Sequence, residues 1–351
     1  VSVIPIFFYV NGLLLKRGIN LNLLFNFGVI SQALAPLILV MIPEINIYTI
    51  IAIALIESMG VGFYWANRNY LTIDATDDED RNYFFGLSAS LLSIARIVVP
   101  VVAGYLLEFG INTIAIGRSE SYFALMIVSL GFALGSVWIL RDNSFHSPNI
   151  SRIRLKESNS DWNLIRIFTA FTSFRFGLML FLPALLILEF IGSEAELGVV
   201  QTTAALLATA GAYTFGKRLK KDQRTVLISI GSLLIITASL GFNIFYGATG
   251  VLLFIFAMGT SDPFRKNFTF ATWYREIDRQ ANDSKDNYRY IFDLEVFIAV
   301  GRVIGIILFL AISNYTELET TLRLTALSIA VMEVGVWLLG QTIERRQKGI
   351  K

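Results

Sequence analysis

Long apolar runs of about twenty residues, separated by short polar connections, set the pattern of the chain. A membrane-spanning helix needs roughly 20 mostly apolar residues. On that template the sequence offers eleven candidate spans, at about 1–15, 20–42, 47–71, 83–108, 120–140, 164–190, 197–215, 226–245, 250–273, 288–313 and 319–343. The first is too short to cross a bilayer. The connections hold the turn and charge signals, as in Lys16-Arg17-Gly18, Pro43-Glu44-Ile45-Asn46 and Gly192-Ser193-Glu194. The expectation is an all-α membrane protein.

Lysine and arginine set the orientation, because loops that carry them stay on the cytoplasmic side. One set of connections and ends holds Lys16, Arg17, Arg81, Arg141, Arg152, Arg154, Lys217, Arg218, Lys220, Arg275, Arg279, Arg345 and Arg346, among others. The alternate set holds Arg118 and Arg323. The alternation runs through all eleven segments and puts residue 1 outside. The chain begins with Val and has no basic leader or small-residue cleavage site. A truncated N-terminus with one more helix upstream, twelve in the full protein, is therefore expected, with both termini cytoplasmic. Residues 1–140 then form a first bundle lacking its first helix. Residues 141–163 form a polar, basic cytoplasmic linker, 164–344 a second six-helix bundle, and 345–351 a cytoplasmic tail.

Composition agrees. The chain is 55% hydrophobic and 16% charged, with a mean hydropathy of +0.62, whereas soluble domains carry about 25% charged residues. There is no cysteine, which removes disulfides and thiolate metal sites. The single His146 lies in the polar linker, and no metal or cofactor is implied. Basic residues cluster at helix ends rather than along a soluble face, so no nucleic-acid partner is expected. The expected partners are the lipid bilayer and a small-molecule substrate, with the chain acting as a monomer.

The two halves also repeat. Asp80 to Arg96 and Asp286 to Arg302 are each sixteen residues apart, and Arg81-Asn82-Tyr83 is answered by Asn287-Tyr288-Arg289. Asn67-Arg68-Asn69 is answered by Arg265-Lys266-Asn267. Related halves with buried charge are a transporter pattern.

Two six-helix halves, a long central loop and this charge map resemble the major facilitator superfamily of secondary transporters. The family's loop motif after its second helix, G-x-L-a-D-R-x-G-R, is matched by Gly12-Leu13-Leu14-Leu15-Lys16-Arg17-Gly18, one residue short and with Lys16 where the Asp belongs. Its second-half counterpart is Gly216-Lys217-Arg218-Leu219-Lys220-Lys221-Asp222-Gln223-Arg224. Of the glycine-proline pattern on the fifth helix of the antiporter branch, Gly86, Pro100 and Gly104 match by type, with Arg96 inserted. Ile56 stands where many members carry an arginine four residues before Gly60. The resemblance implies two pseudo-symmetric bundles with a cavity between them, lined by helices one, four, seven and ten. It thereby puts Glu57, Arg175 and Asp262 on cavity-lining helices. It also implies a cytoplasmic gate, to which Gly12, Lys16, Arg17, Arg68 and Lys266 are assigned.

A charge at the bilayer centre costs about 2.5–3.5 kcal/mol on insertion scales, so each one requires a reason. Helix rise places Glu57 about 15 Å from the outer face, Arg175 about 16 Å from its cytoplasmic end, and Asp262 about 18 Å from its outer end. Arg96 and Arg302 lie about 20 Å in from the cytoplasmic side, with Glu295 two turns before Arg302. Pairing of Glu57 with Arg96 and of Glu295 with Arg302 would leave Arg175 and Asp262 on opposite sides of the cavity. Arg175 would then await an anionic or polar substrate, and Asp262 would carry the coupling proton. Pro263 is expected to break the helix beside Asp262. Tyr64 and Trp65 could shelve a ring or sugar, or pack against helices. Arg68, Arg265, Lys266 and Glu333 each admit a plainer reading: the basic three as snorkelling or topological charge, and Glu333 as a structural partner.

The expected function is secondary active transport of a small organic solute by alternating access, coupled to protons, in a bacterial inner membrane. Drug-type efflux antiport is the alternative within transport, and a non-transporting sensor or scaffold the alternative outside it. Neither a nucleotide-binding signature nor a nucleophile–base constellation is present, so the chain is read as no enzyme.

Overall fold

A computed structural model describes residues 2–77, 80–112, 117–141, 150, 152–192, 199–200, 202–210, 224–281 and 283–349. Among the described residues all regular structure is α-helical. In chain order the helices are α1 (Ile4–Lys16), α2 (Leu21–Met41), α3 (Ile47–Ala75), α4 (Arg81–Asn112), α5 (Arg118–Leu140), α6 (Ser160–Leu178) and α7 (Leu182–Phe190). Then come α8 (202–210), α9 (Arg224–Ile244), α10 (Ala248–Gln280), α11 (Ser284–Tyr315) and α12 (Leu318–Gly349). Seven helical segments among the described residues are long and apolar enough to cross a membrane. In the α5 segment the apolar window is wholly unburied by protein, with Phe132 79% and Ile139 68% exposed. Such a surface needs a lipid solvent.

Two expectations about helix continuity change places. Residues 164–190 are not one helix: α6 ends at Leu178 and α7 begins at Leu182. Pro183, in the first turn of α7, has no N–H for the carbonyl of Met179, and its ring crowds that carbonyl. The chain turns there, with Met179 N–H bonded to Arg175 O at 2.9 Å and Phe181 N–H to Leu178 O at 3.3 Å. The break expected at Asp262–Pro263 is absent, and α10 runs through Pro263 without interruption for 33 residues. Ser261 and Phe264, buried on either side of the proline, hold that turn, and the Ser261 hydroxyl donates to Met258 O at 2.8 Å.

The contacts divide the chain into two compact units. The first comprises Val1–Ala75, Val99–Lys156 and Gln280–Val296. Within it α2 and α3 meet at two glycines. A Cβ on Gly28 would lie 2.5 Å from the Tyr64 backbone nitrogen, and one on Gly60 2.7 Å from that of Gln32. Only residues without a side chain let the two backbones approach this far. The Gln32 amide spans the joint, donating to Gly28 O at 3.3 Å and Gly60 O at 3.4 Å.

The second unit comprises Thr76–Val98, Glu157–Arg279 and Phe297–Lys351. At one end of it Phe174, Leu178, Leu186, Ile235, Phe242, Phe254 and Ile329 form a packed apolar core. Toward the other end the same helices carry buried polar groups. Thr76–Val98 groups with the second unit and Gln280–Val296 with the first. Helices α4 and α11, the repeated stretches, are each 32 residues long. Asp80 precedes the first, and Asp286 lies in the first turn of the second, where a carboxylate complements the helix dipole.

Candidate functional site

The charged residues on α6 and α10 converge. Arg175 lies near the end of α6 and is 3% exposed. Its Nη2 donates to Asp262 Oδ1 at 3.0 Å, and its Nη1 lies 4.0 Å from the Met258 sulfur. Lys266, one turn beyond Asp262, places Nζ 2.7 Å from the other carboxylate oxygen, Oδ2. Each oxygen of Asp262 therefore faces its own cation, and the cluster carries one surplus positive charge. Asp262 sits 14 residues into α10, about 21 Å along a 33-residue helix. The Asp262 and Lys266 side chains keep 27% and 34% exposure, while Arg175 keeps 4%. The cluster is thus anchored on one side and accessible on the other.

This geometry revises two expectations. Arg175 is not left uncompensated opposite Asp262, because the two residues pair within one unit. Lys266, which the resemblance to the superfamily assigns to a cytoplasmic gate, belongs to the same cluster. A helical i, i+4 spacing places lysine and aspartate side by side, so that half of the cluster was visible in the sequence. The contribution of α6 was not.

Next to the cluster lies a second ion pair. Arg265 Nη1 bonds Glu333 Oε2 on α12, with both side chains 1% exposed, and Ser232 on α9 donates to the other Glu333 oxygen at 2.6 Å. Snorkelling does not describe Arg265, which is fully enclosed. A structural partner for Glu333 was the plainer sequence reading, and Arg265 is that partner.

The remaining candidates are distributed differently. Glu57 is partly buried on α3. The Arg96 side chain lies outside the described part, and the Glu57–Arg96 pairing with it. Glu295 is 6% exposed. Arg302 is partly buried, and its backbone is met so closely by Gly177 that a Cβ there would strike the Arg302 carbonyl. Tyr64 packs its ring 5.2 Å from Phe25 and 5.4 Å from Trp65, and the Arg68 guanidinium covers Trp65 at 4.7 Å. These aromatics are engaged by neighbouring side chains of their own unit. Lys16 and Arg17 are exposed at the end of α1. Gly12 faces Tyr288, where a Cβ would come within 2.6 Å of the ring. The Gly216–Arg224 motif falls almost wholly outside the described residues.

Two further buried arrangements join residues far apart in the sequence. Asn11 and Asn67 exchange amide hydrogen bonds at 2.9 and 3.2 Å. Asn11 also donates to the Tyr288 hydroxyl at 2.9 Å, which in turn donates to Phe8 O at 2.7 Å. Asn11, isolated in an apolar run, was the available signal, since it demands a partner in lipid. Arg81, read as topological charge, is 1% exposed and pairs with Asp278; it also donates to Thr76 O at 3.0 Å and lies 5.6 Å from the Tyr274 ring.

A family model, Major Facilitator Superfamily, matches residues 4–273. That stretch is most of the chain. The chain belongs to the Major Facilitator Superfamily. Uncharacterized protein YqgE of Bacillus subtilis is 27% identical over 350 residues, covering 95% of this chain and 77% of its own length. Among solved structures, the human organic anion transporter MFSD10 (TETRAN) aligns with a TM-score of 0.67 at 11% identity, over 97% of this chain and 82% of that one. The E. coli fucose:proton symporter FucP aligns with a TM-score of 0.63 at 13% identity, over 97% and 87%. At those identities the structures speak for the fold alone. The superfamily fold and the seven membrane-length helical segments make the chain an integral, multi-pass membrane protein with the architecture of a secondary transporter.

Proposed function

We propose that this chain moves a small organic anion across a bacterial plasma membrane by alternating access, coupled to protons, with Arg175, Lys266 and Asp262 as the binding and coupling group. The observation that carries the reading is the surplus cation: one carboxylate holds two positive side chains in the middle of a 33-residue helix. Buried charge of this kind is expensive and marks transport pathways in membrane proteins. An incoming anion competes with Asp262 for Arg175 and Lys266, and bidentate recognition by arginine favours a carboxylate or phosphate. Once displaced, the Asp262 carboxylate lies beside another negative charge and takes up a proton, which restores the surplus of one positive charge. Two structural neighbours, an organic anion transporter and a fucose:proton symporter, are in keeping with anionic or polar cargo and with proton coupling. The unit of function is a monomer.

The test is a thermal-shift screen of organic anions, sugars and amphipathic cations on the full-length protein. Counterflow in proteoliposomes follows for each compound that shifts the melt. Arg175→Gln should abolish saturable anion counterflow in a protein that still inserts. Asp262→Asn should retain exchange while removing the dependence of net uptake on the pH gradient. Normal transport by Arg175→Gln, with hydrophobic cations as the cargo, would replace this reading with drug-type efflux.

A further inference from the structure

Helices α6, α10 and α12 share a polar seam on the far side of the cluster from the apolar core. Along α10, Asp262, Arg265, Thr269, Thr272 and Glu276 recur at spacings of three and four residues, which keeps them on one flank of the helix. From Arg265 to Glu276 every member of the stripe is at most 2% exposed. Arg175 meets Asp262, while Phe168 meets Phe268 with ring centroids 6.0 Å apart. This register of antiparallel helices brings Thr172 of α6 level with Arg265, and Thr169 level with Thr269.

The hydroxyls of Thr169, Thr172, Thr269 and Thr272 have no hydrogen-bond partner within the protein, and neither do Arg265 Nε and Nη2. Four of them fall on one pair of facing helices. Thr72, Ser229, Thr237, Thr260 and Thr325 all return their hydroxyls to the carbonyl four residues back, the ordinary solution for a helical hydroxyl. Buried polar atoms are nearly always satisfied by protein or by ordered water, and a buried water makes about three hydrogen bonds to such groups. The seam supplies a row of them.

At its other end the seam reaches a pocket lined by Asp161, Ile165, Glu276, Arg279, Arg346 and Gln347, among others. Gln347 donates to Glu276 Oε2 at 3.0 Å, Arg279 lies 3.3 Å from the same oxygen, and Arg346 pairs with Asp161 at 3.0 Å. The Arg346 side chain is 47% exposed, so the pocket meets solvent. The distribution of lysine and arginine assigns this end to the cytoplasm.

We propose that the seam between α6, α10 and α12 holds a file of buried water joining the Asp262 cluster to the Glu276 pocket, and that the file carries the coupling proton. From Asp262 to Glu276 the distance is 14 residues of helix, about 21 Å. Each water accepts one proton and passes another on. One proton leaves bulk water at the pocket, and the displaced Asp262 carboxylate becomes a carboxylic acid. Arg265 does not bar the file with charge, because Glu333 neutralises it. The proton's role rests on the coupling reading above; the water does not.

Radiolytic hydroxyl footprinting of the full-length protein tests the file without any solute. Phe168 and Phe268 border the seam and are 0% exposed, as are Phe242 and Phe254 in the apolar core. The first pair should label several-fold faster than the second. Thr172→Val with Thr269→Val should bring the first pair down to the rate of the core pair, and Thr→Ser at both positions should preserve fast labelling. Equal labelling of the two pairs in the native protein overturns the proposal, as does fast labelling that survives both valines. Failure of proton coupling in the transport assay alongside normal labelling would instead strike the functional reading and, with it, the proton's use of the file.

Discussion

Arg265 and Glu333 form an ion pair in which neither side chain exposes more than 1% of its surface. Two helices that are distant in sequence are thereby tied together inside one unit. Breaking a buried pair by removing one partner costs about 3–5 kcal/mol, while replacing both by apolar groups is often neutral. Glu333→Gln should therefore lower the melting temperature sharply in detergent. Arg265→Met combined with Glu333→Leu should recover much of the loss. Ser232 would then lose its acceptor, so recovery should improve with Ser232→Ala added.

The Asp262 cluster should respond unequally to its two neutral substitutions. Asp262→Asn strands a guanidinium that is 4% exposed, and a stranded buried charge costs about 3–5 kcal/mol. Lys266 is 34% exposed, and exposed pairs are worth about 0–1 kcal/mol. Thermal unfolding should show a larger loss for Asp262→Asn than for Lys266→Gln, with both variants still folded. Equal losses would mean that Lys266 is as enclosed as Arg175.

Tyr288 is held by one donor, Asn11, and by its own bond to Phe8 O. Tyr288→Phe leaves one Asn11 N–H without a partner, at about 1–3 kcal/mol for a stranded buried group. Gly12→Ala drives a methyl against the same ring, and overpacking costs about 1–3 kcal/mol. Because both act on one ring, Tyr288→Ala should absorb most of the Gly12→Ala penalty. A double-mutant cycle on unfolding midpoints measures that coupling.

At the α2–α3 joint the atom facing Gly28 is a backbone nitrogen of Tyr64, and backbone cannot rotate away as a side chain can. Gly28→Ala should separate the two helices and cost about 1–3 kcal/mol. Gly104→Ala, with no neighbour within reach of a Cβ, should change the melt little. Measured side by side, the pair separates close approach from helix propensity.

Much of the architecture was legible along the chain. Apolar length and the alternation of arginine and lysine mark helices and their ends, because both reflect the local cost of a residue in lipid. Lys266 beside Asp262 was legible too, since helix geometry alone sets the distance between residues four apart. Proline was legible only in part. Pro183 ends a helix and Pro263 does not, because the lost hydrogen bond is the same in both while the packing around it differs.

The sequence by itself determined an α-helical membrane chain and the residues whose charge demands an explanation. Tertiary structure alone decided how those charges are shared out: Arg175 to Asp262, Arg265 to Glu333, Arg81 to Asp278. The physical reason is that burial cost is a property of one residue and its depth, which a linear pattern records. Compensation is a property of two helices and their register, which it does not.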